Sequence, residues 1–138
     1  MKSVSLKFVF VIAITAISLS AGCNQSNPEL CIIQGKVTHN GKPMSKLYLV
    51  FRPADLMKAA ESCALTDENG KFEMMIGSTP GVFRGENTIT ADDPLRADGR
   101  KVSTEPDYLE VINKYSPANS TYKMIVQKNV YDLEIKLD

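Results

Sequence analysis

From Cys31 onward, apolar and polar residues alternate in short runs broken by turn-forming residues, the pattern of an all-β sandwich and not of a helical bundle. Ile33 and Val37 share one parity within Ile32–Thr38, with Gln34, Lys36 and Thr38 on the other. Asn40-Gly41 follows, and both residues tolerate positive φ. Leu47, Leu49 and Phe51 alternate with Tyr48 and Val50 until Pro53 ends the run. Ser62–Thr66 and Lys71–Ile76 flank Asp67-Glu-Asn-Gly70, which reads as a hairpin turn with Phe72, Met74 and Ile76 facing one way. Asn87–Ala91 makes a short strand around Ile89. Tyr122, Met124 and Val126, then Tyr131, Leu133, Ile135 and Leu137, give the clearest period of two and predict a C-terminal pair.

Two segments depart from that period. Asp55–Glu61 predicts one or two helical turns with Asp55 as N-cap, and Pro106–Lys114 another, with Leu109 and Ile112 inward. Asp92–Glu105 is polar, carries Pro94 and Gly99, and predicts a mobile loop.

The first 22 residues have a different character. Lys2 and Lys7 precede the apolar run Phe8–Leu19, and Ser20-Ala-Gly22 supplies small residues before Cys23. A run of about a dozen apolar residues fits a signal peptide and falls short of the roughly 20 that span a bilayer. The division that follows is a leader over 1–22, a polar tether over 23–30 and a single domain over 31–138. Leu19-Ser-Ala-Gly-Cys23 resembles a bacterial lipobox, with Leu19 four residues before the cysteine instead of three. The resemblance implies cleavage before Cys23 and a diacylglycerol on its sulfur, which would make the membrane a partner through that anchor. Ordinary cleavage near Ser20 or Gly22 and an uncleaved anchor are the alternatives.

Composition narrows the function classes. The chain has 138 residues, 43% of them hydrophobic and 23% charged, the makeup of a globular domain. Its 16 basic and 16 acidic residues cancel, and loss of Lys2 and Lys7 with the leader leaves a net charge of −2. Phosphate backbones demand an excess of cations, so nucleic acid is excluded as an expected partner. Once Cys23 is set aside, Cys31 and Cys63 form a candidate disulfide in an oxidising compartment, or else two separate buried thiols.

Candidate chemistry is sparse. His39 is the only histidine, and its place beside Asn40-Gly41 predicts an exposed polar residue. One His and two scattered Cys make no zinc cluster, so neither a metal nor another cofactor is expected. Asp67, Asn69 and Gly70 echo half of a calcium loop, but no acid fills its last position and a turn is the better reading. Asp92 and Asp93, with Asp98 nearby, are the candidate weak cation loop. Asn119-Ser-Thr121 is a glycosylation sequon, relevant only in a eukaryotic secretory route. Tyr48, Tyr108, Tyr115 and Tyr122 are expected to pack in the core or at its rim.

Gly35–Asp138 resembles small bacterial lipoproteins carrying a carboxypeptidase regulatory-like domain. The pieces that carry the likeness are Gly35-Lys-Val-Thr-His-Asn-Gly-Lys-Pro-Met44, Leu65-Thr-Asp-Glu-Asn-Gly-Lys-Phe72, Gly85-Glu86 with Thr88-Ile-Thr90, and Ile112-Asn-Lys-Tyr115 with Ser120-Thr121 and Tyr131–Leu137. Arg84 and Asn87 stand where the family usually has Pro and Tyr. The resemblance implies a seven-stranded antiparallel sandwich, immunoglobulin-like or transthyretin-like, without catalytic residues. The expected function is a noncatalytic envelope module that binds a protein or polysaccharide. Two rivals are a small-ligand carrier with its site between the sheets and a hydrolase built on the Asp92–Asp98 loop.

Overall fold

Leu47, Leu49 and Phe51 are fully buried while Tyr48 and Arg52 reach solvent, so the alternation read in this strand has one face on an oily interior. A computed structural model describes residues 29–100 and 103–138, and the elements there are nearly all strands. The leader, Cys23 and the tether as far as residue 28 lie outside the described residues. Glu29 and Leu30, counted with the tether above, already belong to the fold: Glu29 O accepts from Arg84 N, and Leu30 opens the first strand.

The strands are β1 (Leu30–Cys31), β2 (Ile33–His39), β3 (Lys42–Pro43), β4 (Tyr48–Pro53), β5 (Ser62–Leu65), β6 (Lys71–Glu73), β7 (Met75–Ile76), β8 (Thr79–Pro80), β9 (Val82–Phe83), β10 (Gly85–Asp92), β11 (Lys123–Val126) and β12 (Val130–Lys136). Two helices, α1 (Pro94–Ala97) and α2 (Pro106–Lys114), lie between β10 and β11. One sheet runs β11-β10-β4-β5-β7-β8, and the other is built on β2, flanked by β12, β3 and β6. A small β1-β9 ribbon completes the set. Ile33, Val37, Phe72, Ile135 and Leu137 from one sheet and Leu49, Phe51, Ile89 and Val126 from the other share a single buried cluster. Each such side chain contributes about 1.5–3 kcal/mol of burial free energy.

The chain is therefore all-β with short helical turns, but its strands are more numerous and less uniformly antiparallel than expected. Lys71–Ile76 is not one strand: β6 pairs with β2, β7 pairs with β5, and Met74 between them is where the chain changes sheet. The Asp67–Gly70 turn is likewise a corner between sheets, not a hairpin, because β5 and β6 lie in different ones. The expected C-terminal pair also separates, since β11 joins β10 while β12 runs parallel to β2. Both sheets cover one core, so a strand keeps its inward parity when it crosses over. Periodicity cannot register the change.

The period of two groups Tyr131 with Leu133, Ile135 and Leu137, yet Tyr131 is 61% exposed. The ladder steps from Val130↔Ile33 to Leu133↔Gly35, three residues against two, and this bulge turns Tyr131 outward. Gly35 sits under the bulge. A Cβ there would lie 1.9 Å from Leu133 O, so only glycine fits.

His39 is also corrected. It is buried, its Nδ1–H donating to Leu137 O and its Nε2 accepting from Asn40 Nδ2, because the approach of β12 roofs the turn where it sits. Asp55–Glu61 makes a single turn, with Asp55 Oδ1 accepting from Met57 N and Asp55 O from Ala59 N. The Pro106–Lys114 helix stands as read, burying Tyr108, Val111 and Ile112 with Leu109 at the margin.

The corner after β5 is held by Thr66. Its Oγ1 accepts from Leu47 N at 2.9 Å and donates to Met44 O at 2.6 Å, while its own N–H and C=O bond Leu47 O and Lys46 N. Thr66→Val removes the hydroxyl and strands two buried backbone groups, an expected loss on the order of 2–4 kcal/mol in urea unfolding that Thr66→Ser largely restores. Gly35→Ala is expected to cost about 3 kcal/mol in the same measurement, at the upper end for overpacking.

Candidate functional site

Cys31 and Cys63 are both free, so the candidate disulfide is absent. Strand parity gives the reason. Ser62 and Ala64 are buried on the core side of β5, which turns Cys63 to the outer face, whereas Cys31 is wholly buried within the core cluster.

The candidate cation loop is not a loop, and its acids already have partners. Asp92 ends β10, where its Oδ1 accepts from Asp93 N at 2.8 Å and meets Arg96 Nε at 3.3 Å. Asp93 is buried, and its Oδ1 accepts from Leu95 N at 2.7 Å, capping α1 with Pro94 in the first helical position. Asp98 pairs with Arg100 beyond the helix. The Asp-Pro pair is a helix-start signal that the loop reading passes over. Asp67 takes the turn role, its Oδ1 accepting from Asn69 N and Lys71 N. Among the described residues, no group of three or more His, Cys, Asp or Glu side chains is placed to hold a metal ion.

The ordered Asp92-Asp93-Pro94 corner divides two adjoining hollows. The register aligns Asp92, Tyr48 and Leu65 across β10, β4 and β5, and sets Thr90, Val50, Cys63 and Met75 in the next outward row. A cleft of about 350 Å³ has Tyr48, Val50, Thr90 and Asp92 as its floor, with Pro94 and Pro117 among its lining residues. On the other side of Pro94 a hollow of about 560 Å³ is lined by Leu65, Leu95 and Tyr108, with Lys46 against the carboxylates of Asp93 and Glu105. Tyr48 is 37% and Leu65 56% exposed, so large apolar surface faces water here. A shallower groove of about 660 Å³ crosses β12, β2 and β6 above Gly35, lined by Lys36, Lys71, Glu73, Asp132 and Glu134 beside Tyr131.

Sequence reasoning names Tyr48 and Tyr108 but misses Val50, Leu65, Thr90 and Pro117. A signal was present: Leu47-Tyr-Leu-Val-Phe51 and Cys63-Ala-Leu65 carry apolar residues at both parities, as a strand covered on both faces would. Tyr115 and Tyr122 meet at the core margin, their ring centroids 6.3 Å apart. Asn119 of the sequon is exposed, and its Nδ2 donates to Asn113 O.

Chemically the hollows offer apolar contact, with the hydroxyls of Thr90, Ser45 and Ser103 along their walls. The neighbour of Cys63 is the Tyr48 hydroxyl, and His39, both nitrogens bonded, lies on the other sheet. Tyr108 Oη donates to Lys46 O at 3.0 Å. Against known proteins the chain finds no match among family models, curated proteins or solved structures.

The Cys63 side chain first, and partial burial second, push the Tyr48 hydroxyl up to about 12; burial and then Asp93 raise that of Tyr108 further. The fold thus holds these protons while an unfolded tyrosine releases its own near pH 10. Their stabilisation is complete below pH 10 and declines as pH climbs through the raised values. Absorbance titration at alkaline pH should show late-ionising tyrosines among the five, and Tyr48→Phe should remove the component near pH 12.

Proposed function

We propose that this chain is an exported, noncatalytic binding module, tethered to a membrane by lipid on Cys23 and presenting the hollows beside Asp93-Pro94 to a protein or polysaccharide of the cell envelope. The observation that carries the binding half is the outward stripe of Tyr48, Val50 and Leu65, solvent-facing apolar surface set between concave walls. The leader, its small residues and Cys23 support the address. The likeness to carboxypeptidase regulatory-like lipoproteins fits the same reading. Its glycines and turn residues sit at Gly35, under the β12 bulge, and at the Thr66–Phe72 corner, where packing demands them.

Neither rival is favoured by a particular observation. Ile33, Phe51, Met74, Ile89, Ile135 and Leu137 fill the space between the sheets, so an internal ligand would have to displace core side chains. A hydrolase on the Asp92–Asp98 corner would have to free acids from a helix cap and two ion pairs.

Two measurements test the proposal. Cells fed radiolabelled palmitate should label the wild-type chain and leave Cys23→Ala unlabelled; equal labelling of both would remove the anchor. A photoreactive residue replacing Leu65 should give a discrete envelope adduct that the same residue at Glu134 does not. Equal yields from the two positions would remove the binding surface.

A further inference from the structure

The most exposed large apolar side chain among the described residues is not at the hollows. It is Met57, 94% exposed, with Leu56 beside it at 47%. Together they form a knuckle at the tip of the turn between β4 and β5, standing clear of the buried hydrophobic cluster.

The position of this knuckle gives it meaning. Its base is fastened where Ala54 N donates to Glu86 O and Pro53 pairs with Asn87, at the start of β10. Two residues before Glu86, Arg84 N donates to Glu29 O, the first described residue of the chain. The tether and the knuckle therefore leave the sandwich from the same end. Asp92 and the hollows stand at the other end of β10, seven residues along from Gly85, or about 23 Å away.

Six peptide steps separate Cys23 from Glu29, a reach of at most about 22 Å. An acylated Cys23 must then hold this end of the domain close against the bilayer. The charges around the knuckle pair among themselves, Lys58 with Asp55 at 3.6 Å and Arg52 with Glu61 at 3.2 Å. What the turn offers a membrane is thus two apolar side chains without a net field.

We infer that Leu56 and Met57 rest in the interfacial layer of the bilayer that carries the anchor, fixing the domain upright with its hollows facing away from the lipid. The inference builds on the lipid-anchored reading above. It adds a second membrane contact to the acyl chains, of the shallow kind that apolar side chains make at the headgroup boundary. Because the local charges cancel, the contact does not require anionic lipid.

The chain has no tryptophan, so Met57→Trp introduces a unique reporter at a site where the side chain is almost free of neighbours. Glu110→Trp, on the exposed side of α2 at the far end, is the control. Each full acylated variant is placed in phosphatidylcholine vesicles whose acyl chains are brominated just below the headgroup. The Met57→Trp chain is expected to lose about half or more of its indole emission relative to unbrominated vesicles, and the Glu110→Trp chain about a tenth or less, at low and high salt alike. Unquenched emission from an acylated Met57→Trp chain overturns the inference alone. Emission from that variant that is blue-shifted but unquenched, reporting contact with a second protein, does the same. A mass spectrum without acyl chains overturns the anchored reading, and the inference with it.

Discussion

The corner that Thr66 holds is the constraint on which the two sheets depend. Between β3 and β4 the chain leaves one sheet for the other, and between β5 and β6 it returns. Thr66 bonds the outgoing segment at Met44, Lys46 and Leu47, so both crossings are clamped at one buried hydroxyl and one peptide unit. The clamp continues into β2: Gly70 O accepts from Val37 N, and Val37 O from Met44 N. A Cβ on Gly70 would stand 2.6 Å from Val37 O, and its φ of +74° already favours glycine. Thr, Asp and Gly at this spacing serve a change of sheet, with Asp67 shaping the turn and Gly70 admitting the neighbouring strand.

What the sequence revealed follows from what alternation can encode. Inward parity was legible at Leu47, Leu49, Phe51, Phe72, Met74 and Ile135 because water and the core impose it residue by residue. Sheet membership was not, since both sheets present the same oily face to a passing strand. The start of β12 shows a second limit, for a bulge reverses parity locally and exposes Tyr131 while Ile135 stays buried. His39 shows a third: a turn residue is exposed only if no other segment covers it, and Leu137 does. The hollows were half legible. The Asp-Pro start of α1 and the doubly apolar stretch in β4 were in the letters, but only three-dimensional register sets Tyr48 beside Leu65 and Asp92.

The molecule thus has two dissimilar ends. One gathers the chain's entry, the β1-β9 ribbon and a turn that exposes Leu56 and Met57; the other carries α1, the Asp93 cap and the concave surfaces beside Pro94. In the tethered arrangement proposed, the long strands β4 and β10 act as spacers between lipid and partner. The lone buried side-chain acceptor without a partner among the described residues, Asn87 Oδ1, lies near the start of β10. It stands in the spacer's lower end, remote from the binding surfaces.

The parallel ladder between Ile33–His39 and Val130–Lys136 joins the first long strand of the domain to the last. A core closed by contacts almost a hundred positions apart cannot lock until both strands have been made, and such distant contacts form slowly even afterwards. In the exported arrangement proposed, this late closure leaves the chain loose enough to thread through a narrow conduit before the sandwich forms.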